Sequence, residues 1–321
     1  MIRNFYRIHN TFGVGNVQRR TFQLTKNNLE GFRGRAFRPK SETNKISITG
    51  GSTTNMLAVG SAVGIGSLAL YGLASGNSNS LSAMDKMSVW PEHVKSRIRQ
   101  TYGYLAGSMA ICATTAIQLS RSHRFLAAMG SGWTGPILMA VGSIGAGIVC
   151  RSIPYPQDGS PISLKHVMWL VYSSSLGAMV APLCLVGGPI LTQAALYTGG
   201  IVGGLSLVGA TAPSEKFLMM GGVLSMGLGA VFISSIGAMF ANPMTRIGMG
   251  LHAISLYGGL FVFSGFLLYD TQKVIHRAET HPNYGMVPFD PINNSIHIML
   301  DTLNIFTRIV YMLSSSNNRR R

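Results

Sequence analysis

Residues 263–279 read FSGFLLYDTQKVIHRAE and residues 290–313 read DPINNSIHIMLDTLNIFTRIVYML. Each is an apolar run of helical length broken by an acid, Asp270 in the first and Asp301 in the second. The first is expected to continue to about Glu279, before Pro282 stops it. The second carries a start signal, with Asp290 as N-cap and Pro291 at the first helical position. Asp270 is nine residues from the end of its helix, about 13 Å, and Asp301 is ten residues into the next, about 15 Å. A short loop joins the two helices, so they should run antiparallel as neighbours. The two carboxyl groups then reach the same depth and can meet.

Two carboxylates in contact cannot both ionise cheaply, so such a pair holds a proton. A divalent cation can replace it. Ca²⁺ prefers six to eight oxygens. Asp270 and Asp301 supply up to four, and Asn304, Thr271, carbonyl groups or water can add others. Ca²⁺ with two carboxylates is neutral, as is the doubly protonated pair, so exchange of Ca²⁺ against H⁺ suits a low-dielectric region.

The rest of the chain is written for lipid. Of its 321 residues 47% are hydrophobic and 11% charged, against about 25% charged in soluble domains. A spanning helix needs about 20 mostly apolar residues. Candidate segments are 55–74, 101–119, 133–150, 166–186, 189–209, 217–240, 248–275 and 292–313. This is an all-α integral membrane protein, with one additional leading helix (55–74) and a seven-helix domain at 101–315. Only Asp270 and Asp301 among the ten acids interrupt these segments. Intramembrane ionisable groups cost about 2.5–3.5 kcal/mol each and default to a functional role. Small-xxx-small spacings, Gly60 with Gly64, Gly103 with Gly107 and Gly200 with Gly204, are candidate faces for close helix packing.

Residues 1–54 form a leader. Its first fifty residues hold ten Lys or Arg and only Glu30 and Glu42 as acids. Arg spaced among Phe, Tyr, Ile and Leu is the composition of a mitochondrial transit peptide. Residues 75–100 form an amphipathic connector, in which 85–100 lies in the interface plane or begins the next helix. A basic tail closes the chain at 316–321. Cys112, Cys150 and Cys184 match no zinc or CxxC spacing and read as packed residues. No nucleic-acid-binding motif and no cofactor motif accompanies the charge.

Two further polar groups share a face with Asp301. His297, four residues earlier, either tunes the proton affinity of the pair or merely bonds a helix neighbour. Arg308, seven residues later, either latches the carboxylate when no ion is bound or snorkels to the interface.

The two quoted stretches resemble the signature of the transmembrane Bax-inhibitor-motif family, and the basic leader and additional leading span resemble its mitochondrial branch. The resemblance covers residues 97–313 in layout and is most specific in the last fifty residues. It implies a seven-helix bundle with a central, poorly exposed last helix. It also implies Ca²⁺ leak or Ca²⁺/H⁺ exchange gated by an aspartate pair, which maps by motif onto Asp270 and Asp301. For the mitochondrial inner membrane it implies roles in cristae organisation and restraint of apoptosis, with other membrane proteins as partners. One departure stands out: bacterial relatives complete the gate with an acid and an arginine in early helices. Here no acid lies in 101–119 or 133–150, and the nearest basic groups are Arg124 and Arg151.

The expectation is a cation transporter, with Ca²⁺ as the transported ion. The alternative is a scaffolding membrane protein of cristae in which the two Asp are a packing pair. Intramembrane hydrolysis is disfavoured, because the context of Asp301, MLDTLN, contains no GxGD-like motif.

Overall fold

The computed structural model describes residues 90–318, apart from 131, 157–162, 213–216, 243 and 283–287. The leader, the segment 55–74, the connector up to residue 89 and residues 319–321 lie outside the described residues.

Nine α-helices account for the described architecture, which contains no strand. They are α1 (Glu92–Ser120), α2 (His123–Gly130), α3 (Thr134–Ser152), α4 (Leu164–Val180), α5 (Gly188–Thr211), α6 (Gly221–Phe240), α7 (Arg246–Ala253), α8 (Gly259–Thr280) and α9 (Pro291–Asn318). A 3-10 turn, Ala181–Val186, extends α4, another, Leu218–Met220, opens α6, and a π turn, Ile254–Gly258, fuses α7 to α8.

Among the described residues, six segments are long and apolar enough to cross a membrane: Thr134–Ser152, Leu164–Val186, Gly188–Ala210, Leu218–Phe240, Arg246–Thr280 and Pro291–Ser315. Each overlaps an expected span. The expected first span of the seven, 101–119, is the helix α1, but it falls short of the other six in hydropathy. Thr101, Tyr102, Tyr104, Thr114, Thr115 and Gln118 dilute its apolar residues. Two polar groups of α1 turn inward: Thr101 and Ser108 are buried, and Ser108 accepts a hydrogen bond from Trp169 Nε1 on α4 at 2.7 Å.

α1 starts at Glu92, so residues 92–100 are the first turns of this helix rather than an in-plane connector. Val94 is buried there. Arg97 donates to the carbonyl oxygens of Ala278 at 2.8 Å and His281 at 2.9 Å. A guanidinium placed on the orphan carbonyls at the end of α8 is also favoured by the helix dipole.

The helix starts follow local chemistry. Asp290 Oδ1 accepts from Asn293 N at 2.9 Å, which caps α9 as expected. Ser163 and His166 form a reciprocal cap on α4. Thr245 Oγ1 accepts from Gly248 N at 3.1 Å at the start of α7. Gly187, at φ +116°, makes the left-handed bend between the α4 extension and α5.

The last helix is the centre of the bundle. In the apolar window of α9, 56% of residues are buried, against 17–33% in the other five segments. It packs on α1, α5 and α8. Ile292, Ile296, Ile298, Met299, Ile305 and Val310 are all essentially inaccessible.

Of the small-residue pairs, Gly60 and Gly64 lie outside the described residues, and the other two are used only in part. A methyl group added at Gly103 or Gly200 would meet no neighbour within 4 Å, and Gly107 faces the ring of Trp169. The close approach is at Gly177, where α4 crosses α1. A Cβ there would sit 2.5 Å from the backbone oxygen of Cys112 and 2.9 Å from Thr115 Cβ. Gly177→Ala is therefore expected to lose about 1–3 kcal/mol, because backbone cannot yield as a side chain can. Gly200→Ala is expected to be neutral or slightly stabilising. Thermal unfolding of both variants in detergent micelles checks the contrast, and equal melting temperatures would refute it.

Candidate functional site: a carboxyl pair on the seam between α8 and α9

α8 and α9 run antiparallel and in contact. Asp270 is ten residues before the end of α8 and Asp301 ten residues after the start of α9, so both lie about 15 Å along their helices from the connecting loop. The two side chains are 7% and 6% exposed. The two carboxyl groups face one another closely enough to interact directly. Two carboxyl groups in contact can share one proton as a hydrogen bond. Asp301 Oδ2 is buried and has no hydrogen-bond partner within the protein. A buried, unpartnered carboxyl oxygen is costly and open to a ligand.

The other expected site residues divide. Thr271 is fully buried beside Asp270, and its hydroxyl is 3.5 Å from that of Tyr102 on α1. Asn304 lies one turn beyond Asp301, and its amide donates to Leu300 O at 2.9 Å. That bond engages the nitrogen and leaves the carboxamide oxygen as the possible ligand atom. His297 is half-buried one turn before Asp301.

Arg308 turns away from Asp301 in this structure. Its guanidinium turns onto α8, where Nη1 donates to Ser255 O in the π turn. It also lies over the Phe263 ring, 5.1 Å from the centroid. Nε is buried without a partner. The physical reason is local: the carbonyl it meets is closer to hand than a carboxylate about 10 Å along its own helix.

No group of three or more His, Cys, Asp or Glu side chains assembles among the described residues. A Ca²⁺ ion at the pair would therefore take its further ligands from amide, hydroxyl, carbonyl or water oxygens, which suits a hard cation.

Sequence reasoning missed the ammonium of Lys165. This side chain is completely buried. Its Nζ lies 2.8 Å from each of Cys150 O, Ile153 O and Asn293 Oδ1 and 2.9 Å from Asp290 Oδ2. One cation thus ties the end of α3 and the start of α4 to the cap of α9. Beside it, Tyr104 meets His166 Nε2 at 2.9 Å and Tyr155 at 3.2 Å, and Arg277 donates to Asn294 Oδ1 at 2.9 Å. The seam is therefore polar on the side of the α8–α9 loop. The signal for Lys165 lay in the spacing of Lys165 and His166 behind the Ser163 cap, but a lysine at a span's edge ordinarily reads as snorkelling.

The family model for the inhibitor of apoptosis-promoting Bax1 matches residues 94–318. The chain belongs to this family. It is 49% identical to growth hormone-inducible transmembrane protein of Rattus norvegicus over 266 residues, which is 83% of this chain and 75% of that protein. It is also 26% identical to Bax inhibitor 1 of Rattus norvegicus over 227 residues, 69% of this chain and 88% of that protein. Bax inhibitor 1 of Arabidopsis thaliana is 27% identical over 186 residues, 58% and 71% of the two chains. The Bax1-family match begins within α1 and ends at the last residue of α9, so it covers every described helix. This family member is a multi-pass helical membrane protein.

Proposed function

We propose that the chain exchanges Ca²⁺ for H⁺, or leaks Ca²⁺ under the control of pH, through the Asp270–Asp301 pair, in the mitochondrial inner membrane. The observation that supports it is the close apposition of the two buried carboxyl groups, with Asp301 Oδ2 left unpartnered beside it. Such a pair loads either protons or one divalent cation without net charge in either state. The basic leader and the similarity to growth hormone-inducible transmembrane protein favour the mitochondrion. The pair is assigned to ion exchange rather than to catalysis.

The test is Ca²⁺ flux into proteoliposomes under an imposed pH gradient. Flux is expected from the wild type and not from the Asp270→Asn, Asp301→Asn double variant. Undiminished flux from a correctly folded double variant would end the proposal.

A scaffolding role in cristae, with restraint of apoptosis as its consequence, draws on a different observation. Gly103 and Gly200 face outward with nothing within 4 Å, which leaves small-residue faces for helices of partner proteins. If the double variant loses flux and preserves membrane morphology, the two roles are separable.

A further inference from the structure

Among the described residues, the far half of the α8–α9 seam holds one charged group. Arg308 is seven residues beyond Asp301 on the same face of α9, about 10 Å further from the connecting loop. It meets the α7–α8 rod at Ser255, Gly259 and Phe263, on the side of Asp270 away from that loop. A cation leaving the carboxyl pair along the seam toward the far face has to pass the guanidinium.

The backbone opposite Arg308 is built to receive it. In an α-helix the Gly259 N–H would bond Ser255 O, four residues back. In the π turn it bonds Ile254 O and Leu256 O instead, and the released Ser255 carbonyl accepts from Arg308 Nη1. π turns are concentrated at functional positions in helices. Gly259 completes the seat, because any Cβ at that position would fall on the guanidinium. The register of the turn and the position of the arginine are therefore linked. An α register takes back the Ser255 carbonyl and deprives Arg308 of its acceptor.

We propose that Arg308, seated on the π turn, is the gate that bars cations from the far half of the seam, and that return of the turn to the α register releases it. The proposal rests on the carboxyl pair being the cation site, but its barrier can be read without transport. Asn304 lies between Asp301 and Arg308 on α9, so Asn304→Cys places a thiol on the protected stretch.

The experiment reconstitutes the full chain with Asn304→Cys and Cys184→Ser; Cys112 and Cys150 are already buried. A membrane-impermeant cationic thiol reagent is then applied to each face in turn. With Arg308 in place, labelling from the far face should be slow. Adding Arg308→Gln should raise that rate by about tenfold or more, in line with the removal of a fixed like charge from a narrow path. Gly259→Ala should do the same, because it keeps the charge but unseats it. Arg308→Lys, which keeps a cation on the seam, should stay near the parent rate. Far-face labelling that is equally fast with and without Arg308→Gln overturns the gate, as does a Gly259→Ala chain that labels like the parent. Absence of Ca²⁺ flux in the wild type would fail the transport proposal alone and leave the labelling result to decide the gate.

Discussion

Replacing Lys165 by methionine should destabilise the bundle by about 3 kcal/mol, at the lower end of the range for breaking a buried ion pair. The methionine fills most of the space, so the loss is electrostatic. It strips the partner from the Asp290 carboxylate and from two carbonyls at the end of α3. The lower end applies because the Asp290 side chain is 20% exposed and keeps some water. Asp290 also caps α9 through its other oxygen, so the start of the central helix should loosen with it. Adding Asp290→Asn to Lys165→Met should recover part of the loss, because the uncompensated charge is gone while the amide can still accept the capping bond. Thermal unfolding followed by circular dichroism in micelles reads both effects. A loss below about 1 kcal/mol for the single variant would mean that water replaces the ammonium at little cost.

Asp301→Asn alone should abolish Ca²⁺ flux as completely as the double substitution, and so should Asp270→Asn alone. A single carboxylate leaves the bound Ca²⁺ with a net positive charge in a region where both side chains are at most 7% exposed. Uncompensated charge there costs several kcal/mol, and each 1.4 kcal/mol is about tenfold in affinity. The expected fall is therefore about a hundredfold to a thousandfold for either variant, with little further loss when the two are combined. Groups that act as a unit are non-additive in this way. Initial rates in proteoliposomes at matched protein content measure it. Half-maximal flux from either single variant would show that the carboxyl groups act independently.

Much of this site was legible in the residues alone. The depth match of Asp270 and Asp301 follows from counting residues outward from one loop, because Asp290–Pro291 and Pro282 mark its two helix ends. The expected spans from 133 onward lie within a few residues of the observed helices for the same reason: chain-local signals set the boundaries. The parts that were not legible are tertiary. The π turn at Ile254–Gly258 sits inside an uninterrupted apolar stretch, and its register is coupled to a guanidinium more than fifty residues away. Lys165 acquires its role from oxygens on α3 and α9, which no spacing along the chain brings together. The glycine spacings were a partial guide, because spacing cannot tell a face against a helix from a face against lipid: Gly103 and Gly200 meet open space, Gly107 meets the Trp169 ring, and the closest approach is at Gly177, which has Ser173 and Ala181 at its own fourth positions.

The central position of α9 also sets an order of assembly. A ribosome delivers this helix after the other described ones, so the segments destined to surround it must wait in the bilayer around a space that is not yet filled. Until Asp290 emerges, the Lys165 ammonium has no counter-ion from α9, and until Asp301 emerges, Asp270 has no proton-sharing mate. The nascent chain therefore carries its least lipid-compatible groups unmatched until α9 has been made, and a chain that stalls or is released before that point should be a substrate for membrane quality control rather than a partially working protein.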